Sequence, residues 1–385
     1  MAAVKKIVVG MSGGVDSSVA AYLLKQQGFD VLGVFMKNWE DATPEPGYRQ
    51  QETMAGCTWE EDFADVRAVC QQLDIPYTTF NFVEEYRDRV FDYFIAELKA
   101  GRTPNPDILC NQEIKFQLFL EKALRLEGVD GVATGHYAKI DNQGRLCRPR
   151  DRNKDQTYFL YRLDRAVLPR VVFPLADLTK EEVRAIAKQQ KFPNADKKDS
   201  TGICFIGNID YKQFIDQYIE KRPGVIQTLD GVVVGKHDGL HFYTIGQRRG
   251  INIGGTGPYY VVKKDQEKNI LFVTNNKDDS QLFQASCRVS DLHWLTEFPL
   301  PKEADVQIRY RQQAQPAAVA AEFGASIGLP QGKRTPEGTS SSRELLPRTQ
   351  QTVNVLFQEP QRAVTAGQSA VFYAGDIVLG GGIIQ

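Results

Sequence analysis

A chain of 385 residues with 42% hydrophobic and 25% charged side chains is long enough for two or three packed domains, and its makeup is that of a soluble globular protein. The 47 Lys plus Arg against 48 Asp plus Glu give a formal charge of -1, which excludes a chain basic throughout and leaves only a local patch for any nucleic acid. No apolar run approaches the roughly 20 residues that span a bilayer, and Met1-Ala2-Ala3-Val4-Lys5-Lys6 leads into Ile7-Val8-Val9 with no signal-peptide core, so the expected location is the cytoplasm.

The first half alternates strands and helices. Ile7 to Gly10 is an apolar strand, Ser17 to Gln27 a helix closed by Gly28, and Val31 to Met36 a second strand, which together make a βαβ unit. Helices follow at Glu60 to Leu73, Glu85 to Lys99 and Gln112 to Leu126, then a strand at Gly131 to Thr134 that turns at Gly135. This pattern predicts an α/β domain built on a parallel sheet. A last helix runs from Thr179 to Gln190, with Thr179 as N-cap and Glu182 at capping-box spacing, and a polar loop follows from Pro193 to Ser200.

After Pro223-Gly224 the chain changes to short alternating strands, including a hairpin from Tyr259 to Thr274, and from about Ala285 onward the alternation at Val306, Ile308 and Tyr310 and at Val353, Val355 and Phe357 predicts a closed β module. The expected domains are therefore 1–218 (catalytic α/β), 219–284 (small central β domain) and 285–385 (C-terminal β-barrel). Gln312 to Gln351, rich in Ala, Gln, Gly, Pro, Ser and Thr without periodicity, reads as a flexible insertion in the last of these.

Gly10-Met11-Ser12-Gly13-Gly14-Val15-Asp16-Ser17-Ser18 lies between an apolar strand and an amphipathic helix. Paired glycines allow a tight turn in which successive N–H groups and the helix terminus converge on an anion, with Ser12, Ser17 and Ser18 adding hydroxyls. The stretch lacks the lysine of a Walker A loop and does not fit Gly-x-Gly-x-x-Gly. Met36 and Gly135 close two strands at the carboxyl ends, where open α/β sheets bind ligands, though residue type alone makes them packing and turn residues.

The six cysteines, Cys57, Cys70, Cys110, Cys147, Cys204 and Cys287, form no Cys-x-x-Cys pair, so structural zinc is not expected and the thiols should be reduced. Cys70 falls on a helical stripe with Val66, Val69 and Leu73 and reads as core. Cys110, in Asn105-Pro106-Asp107-Ile108-Leu109-Cys110-Asn111, stands just before the helix expected from Gln112, where a helix N-terminus stabilises a thiolate and Asp107 is a nearby acid or base. Cys204 is flanked by glycines in Thr201-Gly202-Ile203-Cys204-Phe205-Ile206-Gly207, after the basic Lys197 and Lys198. Taken singly, each thiol is more readily a small buried hydrophobe.

Ser-Gly-Gly-Val-Asp-Ser resembles the pyrophosphate loop of the N-type ATP pyrophosphatases. Joined with Asn-Pro-Asp-Ile-Leu-Cys-Asn, Ala-Thr-Gly-His-Tyr-Ala, Lys-Asp-Gln-Thr-Tyr-Phe-Leu, Thr-Gly-Ile-Cys-Phe-Ile-Gly and Ile-Arg-Tyr-Arg, it closely resembles the tRNA-specific 2-thiouridylase family from about Lys5 to the C-terminus. The resemblance implies an adenine nucleotide α-hydrolase-like first domain that binds ATP through Gly10, Met11, Ser12, Gly13, Gly14, Val15, Asp16 and Ser17, with Met36 and Gly135 lining the adenosine pocket and Asp16 holding Mg²⁺. It implies adenylation of the carbon-2 oxygen of the wobble uridine, a persulfide on Cys204, and Cys110 completing the exchange through a Cys110–Cys204 disulfide. Asn105, Pro106 and Asp107 would meet the target base, with Asp107 a proton-transfer group. His136, Lys154, Asp155, Gln156, Arg309, Tyr310 and Gln368 would touch tRNA, of glutamate, glutamine and lysine acceptors. A sulfur-relay protein or cysteine desulfurase would load Cys204.

Two other readings stand beside this one: a pyrophosphate-loop ligase that adds nitrogen after adenylation, and a non-catalytic sulfur-carrier or RNA-binding protein. An iron–sulfur cluster on Cys110 and Cys204 would need an outside ligand such as Asp107 to make up the usual cysteine set, and the persulfide route ranks above it.

Overall fold

The structure, a computed structural model, describes residues 5–40, 59–199, 211–251, 253–254, 257–297, 302–321 and 352–385. Its first unit is a five-stranded parallel sheet built from β1 (Lys6–Met11), β2 (Asp30–Lys37), β3 (Tyr77–Asn81), β4 (Val129–Thr134) and β7 (Val171–Val172), in the order β3-β2-β1-β4-β7. Side chains alternate across it as a strand dictates: Ile7, Val9 and Met11 face one core, Val8 the other. The first core packs α1 (Val15–Gln26), α2 (Trp59–Gln72) and α7 (Lys180–Gln189) on one face. The second core covers the opposite face with a helical layer. One run in that layer is α3 (Val83–Tyr86), a π segment Arg87–Phe91 and α4 (Asp92–Lys99); the other is α5 (Pro106–Leu109), a π segment Cys110–Leu118 and α6 (Phe119–Leu124).

The sheet runs from β1 to β2 in one direction and from β1 to β4 in the other, so its crevice opens at the carboxyl ends of β1 and β4, where Gly10 pairs with Thr134.

A short hairpin, β5 (Lys139–Ile140) and β6 (Leu146–Cys147), leaves this unit and adds to the final strand of the chain, Ile377–Ile384, through Cys147 and Ile377. After α8 (Tyr211–Ile215), a four-stranded sheet forms from β8 (Gly224–Thr228), β9 (Val233–His237), β10 (Tyr260–Asp265) and β11 (Ile270–Thr274), the last two being the expected hairpin.

The third unit is a closed six-stranded barrel. It contains β12 (Phe283–Trp294), β13 (Lys302–Gln307), β14 (Gln315–Ala321), β15 (Val353–Arg362), β16 (Ser369–Ala374) and β17 (Ile377–Ile384), and β12 pairs with both β15 and β17 to complete the ring. β14 falls inside the span 312–351 expected to be without regular structure. Its alternating Ala317 and Val319 are buried between β13 and β15, and small residues conceal that alternation in the sequence because Ala carries little apolar contrast. Residues 322–351 lie outside the described residues.

The barrel and the first unit share a core. Tyr373, Val371 and Val378 of the barrel belong to the same buried cluster as Tyr158, Tyr161 and the helical layer. Polar bonds cross it as well: Tyr158 donates to the Ser369 carbonyl at 3.0 Å, Arg162 pairs with Asp291 at 2.7 Å, and the His293 ring nitrogen lies 2.7 Å from the Leu163 carbonyl.

Candidate functional site

The loop between β1 and α1 has the geometry of an anion cradle. Gly13 takes φ +73, and a Cβ there would strike the Asp62 backbone of α2 at 2.5 Å, so the position admits only glycine. Gly14 is the N-cap of α1 and supplies no side-chain bond to the first turn, which leaves the amides of that turn directed outward. The residues present therefore fit a bound phosphate chain. Met11 and Val15 turn their side chains into the core, so only their backbone can face a ligand.

The serines divide their work differently from the sequence expectation. Ser12 is exposed and keeps its hydroxyl near the loop mouth. Ser17 and Ser18 instead each donate at 3.0 Å to the Gly14 carbonyl, bracing the turn from behind. Asn194, in the loop after α7, adds to the brace by donating to the Gly13 carbonyl at 2.9 Å and to Ser18 Oγ at 3.0 Å.

Asp16, in the first turn of α1, lies at the centre of a charged cluster drawn from three other regions. Tyr137 donates to it at 3.0 Å, and Lys180 reaches both carboxylate oxygens at 2.7 and 2.8 Å. Lys180 also pairs with Asp199 at 2.8 Å, and Asp199 is held by Lys154 and, at 2.8 Å, by Arg184. Burial alone raises the Asp199 carboxyl, but the hydrogen bonds from Lys154 and Lys180 outweigh it and hold it well below the usual carboxylate range. Among the described residues no group of three His, Cys, Asp or Glu gathers around one point. A magnesium ion here would be held by Asp16 together with substrate phosphates, the usual mode for that ion, and would neutralise charge on the departing pyrophosphate.

Met36 is buried at the end of β2, and a Cβ on Gly10 would meet its Cε at 3.0 Å. Gly135 packs against the first turn of α1, where a Cβ would come within 2.7 Å of the Asp16 and Ser17 backbone. Its glycine is explained by that close approach.

The second motif begins a helix earlier than expected. Asn105 is the N-cap of α5, accepting from the Asp107 amide at 3.2 Å, and Pro106 takes the first helical position. Cys110 therefore lies more than a turn inside the helix, fully buried, and not at its N-terminus. The helix end that would stabilise a thiolate is occupied by Asp107. Farther along the same run, Phe119 approaches Gly10, and Phe116 lies 5.7 Å from the His136 ring, so the thiol-bearing helix flanks the phosphate loop. Cys204, and Cys57, lie outside the described residues. Burial pushes the thiols of Cys70 and Cys287 up to about 12, and burial with Asp141 alongside pushes Cys147 to about 11.

Of the remaining sequence candidates, His136 is half-buried with Nδ1 2.7 Å from Thr134 Oγ1, and burial, then the charge of Lys115, holds its imidazole neutral. Asp155 is engaged inside the fold, accepting from Arg148 at 2.6 Å and from the Thr157 hydroxyl at 2.6 Å. Gln156 accepts from the Tyr137 amide at 2.8 Å, and Gln368 donates to the Thr103 carbonyl at 2.7 Å, tying the barrel to the Asn105 motif.

Arg309 and Tyr310 border a concavity of about 330 Å³ shared with Arg311, Gln312 and Arg362. None of these three arginines makes an ion pair among the described residues; Arg309 donates to the Ile245 and Ala363 carbonyls, and Arg362 lies over the Tyr260 ring. Tyr310 packs against Phe159 with ring centroids 4.4 Å apart and planes tilted by 50°, and the Phe159 carbonyl accepts from Asn111, next to Cys110. Sequence reading missed Arg362 because it converges only when the barrel closes. It missed Lys180 and Tyr137 because both reach Asp16 from more than a hundred residues away.

Residues 5–208 match the family model for the tRNA methyl transferase HUP domain, residues 212–275 the tRNA methyl transferase PRC-barrel domain, and residues 337–384 the aminomethyltransferase beta-barrel domain. The chain is 49% identical over 388 residues to the tRNA-specific 2-thiouridylase MnmA of Alkaliphilus oremlandii (strain OhILAs), covering 99% of this chain and 97% of that one. The protein of the same name from Halalkalibacterium halodurans is 50% identical over 386 residues, with 99% and 94% covered. Among solved structures, a 4-thiouridine synthetase–RNA complex with bound ATP overlaps at TM-score 0.32 and 16% identity, covering 55% of this chain and 50% of that one. An NMN synthetase from Francisella tularensis overlaps at TM-score 0.32 and 16% identity, with 56% and 76% covered.

Proposed function

The chain belongs to the family of tRNA-specific 2-thiouridylases, and from that premise we propose the route by which it places sulfur on carbon 2 of a tRNA uridine. The protein is a tRNA sulfurtransferase. The observation that supports the route most directly is the uncapped, glycine-turned N-terminus of α1 flanked by the helix that carries Cys110.

In this reading ATP is the first substrate, its phosphates lying on the amides from Gly10 to Ser17. The uracil oxygen on carbon 2 attacks the α-phosphorus, pyrophosphate leaves, and the oxygen becomes part of an AMP leaving group. Asp107, half-buried in the first turn of α5 beside Asn105, is the group proposed to take up the uracil proton. The terminal sulfur of a Cys204 persulfide then attacks carbon 2 and AMP departs, leaving carbon 2 joined to Cys204 through two sulfurs. The Cys110 thiolate attacks the Cys204 sulfur, releasing the thiocarbonyl and forming a Cys110–Cys204 disulfide that an external thiol reduces. The order in which Cys110 first frees hydrosulfide from the persulfide ends in the same disulfide.

The wobble uridine of glutamate, glutamine and lysine tRNAs is the proposed target, and a sulfur-relay protein or cysteine desulfurase the proposed donor. No helix among the described residues is long and apolar enough to cross a membrane. The cytoplasm is the proposed location of the reaction. The concavity of Arg309, Arg311 and Arg362 is the proposed phosphate contact, with Tyr310 offering a ring to stack a base.

The test is incubation with ATP, a persulfide donor and unmodified tRNA, followed by nucleoside mass spectrometry. 2-Thiouridine at the wobble position is expected, with yield abolished by Cys110→Ser or Cys204→Ser. An aminated product, or thiouridine unaffected by both replacements, sinks the route.

A further inference from the structure

Lys154 to Gln156 and Arg309 with Tyr310 belong to different units of the fold, and Tyr373 of β16 joins them through side chains. Its hydroxyl donates to Gln307 Oε1 at 3.1 Å, and Gln307 Nε2 donates to the Arg309 carbonyl at 3.0 Å. On its other side the hydroxyl lies 3.2 Å from Thr157 Oγ1, whose own proton goes to Asp155 at 2.6 Å. The Arg148 guanidinium completes the circuit, pairing with Asp155 at 2.6 Å and lying over the Tyr373 ring, 3.7 Å from its centre.

The strand register produces this meeting. β13 and β16 are antiparallel with Asp305 opposite Tyr373 and Gln307 opposite Val371, so Gln307 and Tyr373 are diagonal neighbours on one face. Tyr373 and Thr157 have no exposed surface and Gln307 is 4% exposed, so each of these polar groups must find its partners inside the protein. Burial also keeps the phenol protonated, and therefore a donor. Arg309 needs such a fixture because β13 ends at Gln307 and the sheet no longer holds the backbone two residues on. The guanidinium of Arg309 donates to the Ile245 and Ala363 carbonyls, neutral partners that orient it without cancelling its charge.

We propose that Tyr373 is a positioning residue for tRNA binding: through Gln307 it fixes the main chain of Arg309, and through Thr157 and Arg148 it keeps that arginine in register with the Lys154 to Gln156 turn. The proposal rests on the reading of Arg309 as a tRNA contact. Tyr373 itself touches no RNA, because it is wholly enclosed.

Wild type, Tyr373→Phe, Gln307→Met, Arg309→Ala and the double variants of the last with each of the other two are titrated with unmodified tRNA by fluorescence anisotropy and with magnesium ATP by calorimetry. Circular dichroism checks that each is folded. Tyr373→Phe, which keeps the ring under Arg148, and Gln307→Met are each expected to weaken tRNA binding roughly 3- to 10-fold with ATP affinity within about 2-fold. In thiolation assays the loss should appear in KM for tRNA and not in kcat. With Arg309 already alanine, Tyr373→Phe should cost less than about 2-fold more, since its effect passes through that residue. The same loss with and without Arg309, equal losses for ATP and tRNA, a loss confined to kcat, or no loss overturns the proposal. If Tyr373→Phe does not fold, Gln307→Met and its double variant decide by the same criteria. Arg309→Ala without effect on tRNA binding overturns the tRNA reading of that residue and the proposal together; a weakened Arg309→Ala beside an unmoved Tyr373→Phe overturns the proposal alone.

Discussion

Cys110 has no exposed surface. On the proposed route a partner sulfur must reach it, so that route asks the Pro106–Leu109 turn or the loop before it to yield when substrate binds. His136, packed against Phe116 of the same helical run, shows how burial sets protonation beside the site. Folded, its imidazole stays neutral; unfolded, it takes up a proton as pH falls past its ordinary 6.5. Below that value the unfolded chain binds more protons, so stability falls with acidification and this group contributes no slope above it. His136→Gln is expected to flatten the acid limb of a plot of unfolding midpoint against pH, measured from about pH 5 to about pH 8. An unchanged acid limb would mean that other groups carry it. At this scale the phosphate loop was legible in the residues, because glycine pairs and a helix start are local signals. The cluster around Asp16 was not: Tyr137, Lys180 and Asp199 are ordinary polar residues until the sheet and α7 bring them together.

The start of α5 was readable and was nonetheless placed too late. Asn105 followed by Pro106 is an N-cap and first-position pair, but the polar run Asn111-Gln112-Glu113 weakens the apolar period that was used to find the helix. The helices expected over Glu85 to Lys99 and Gln112 to Leu126 cover most of the two π segments, Arg87–Phe91 and Cys110–Leu118, but the wider turn of those segments is not visible to a search at period 3.6. β3 escaped for a different reason: only Phe80 of its five residues is buried. In α7 the forecast held in detail, since Thr179 accepts from Glu182 while the Glu182 carboxylate accepts from the Thr179 amide at 2.7 Å. Removing that cap by Thr179→Ala should cost about 1 kcal/mol in urea unfolding. Because the cap fixes the turn that presents Lys180, ATP affinity should fall in the same variant. Unchanged stability would show that the Asp151 contact alone holds this end.

For the molecule as a whole, a net charge near zero had left only a local patch for RNA, and the structure gathers Arg309, Arg311 and Arg362 into one concavity. If phosphates are neutralised there, Arg311→Ala with Arg362→Ala should weaken tRNA binding across all sequences. It should also lower the slope of log affinity against log salt by roughly 0.7 to 0.9 per arginine, read by fluorescence anisotropy over a salt series. A slope that does not move removes the concavity from the RNA interface. The barrel itself was foreseen as a closed β module, but its attachment was not, because strands as short as β5 and β6 give too few residues for alternation to register.

The shared core has a cost in time. Tyr161 meets Ser369 across 208 residues of chain, so a nascent first unit leaves the ribosome with its tyrosine face bare. At roughly 5–20 residues per second the cover arrives about 10–40 s later. Throughout that interval the exposed face is open to chaperones and to misassociation, and the rate of translation through the central region sets how long the hazard lasts.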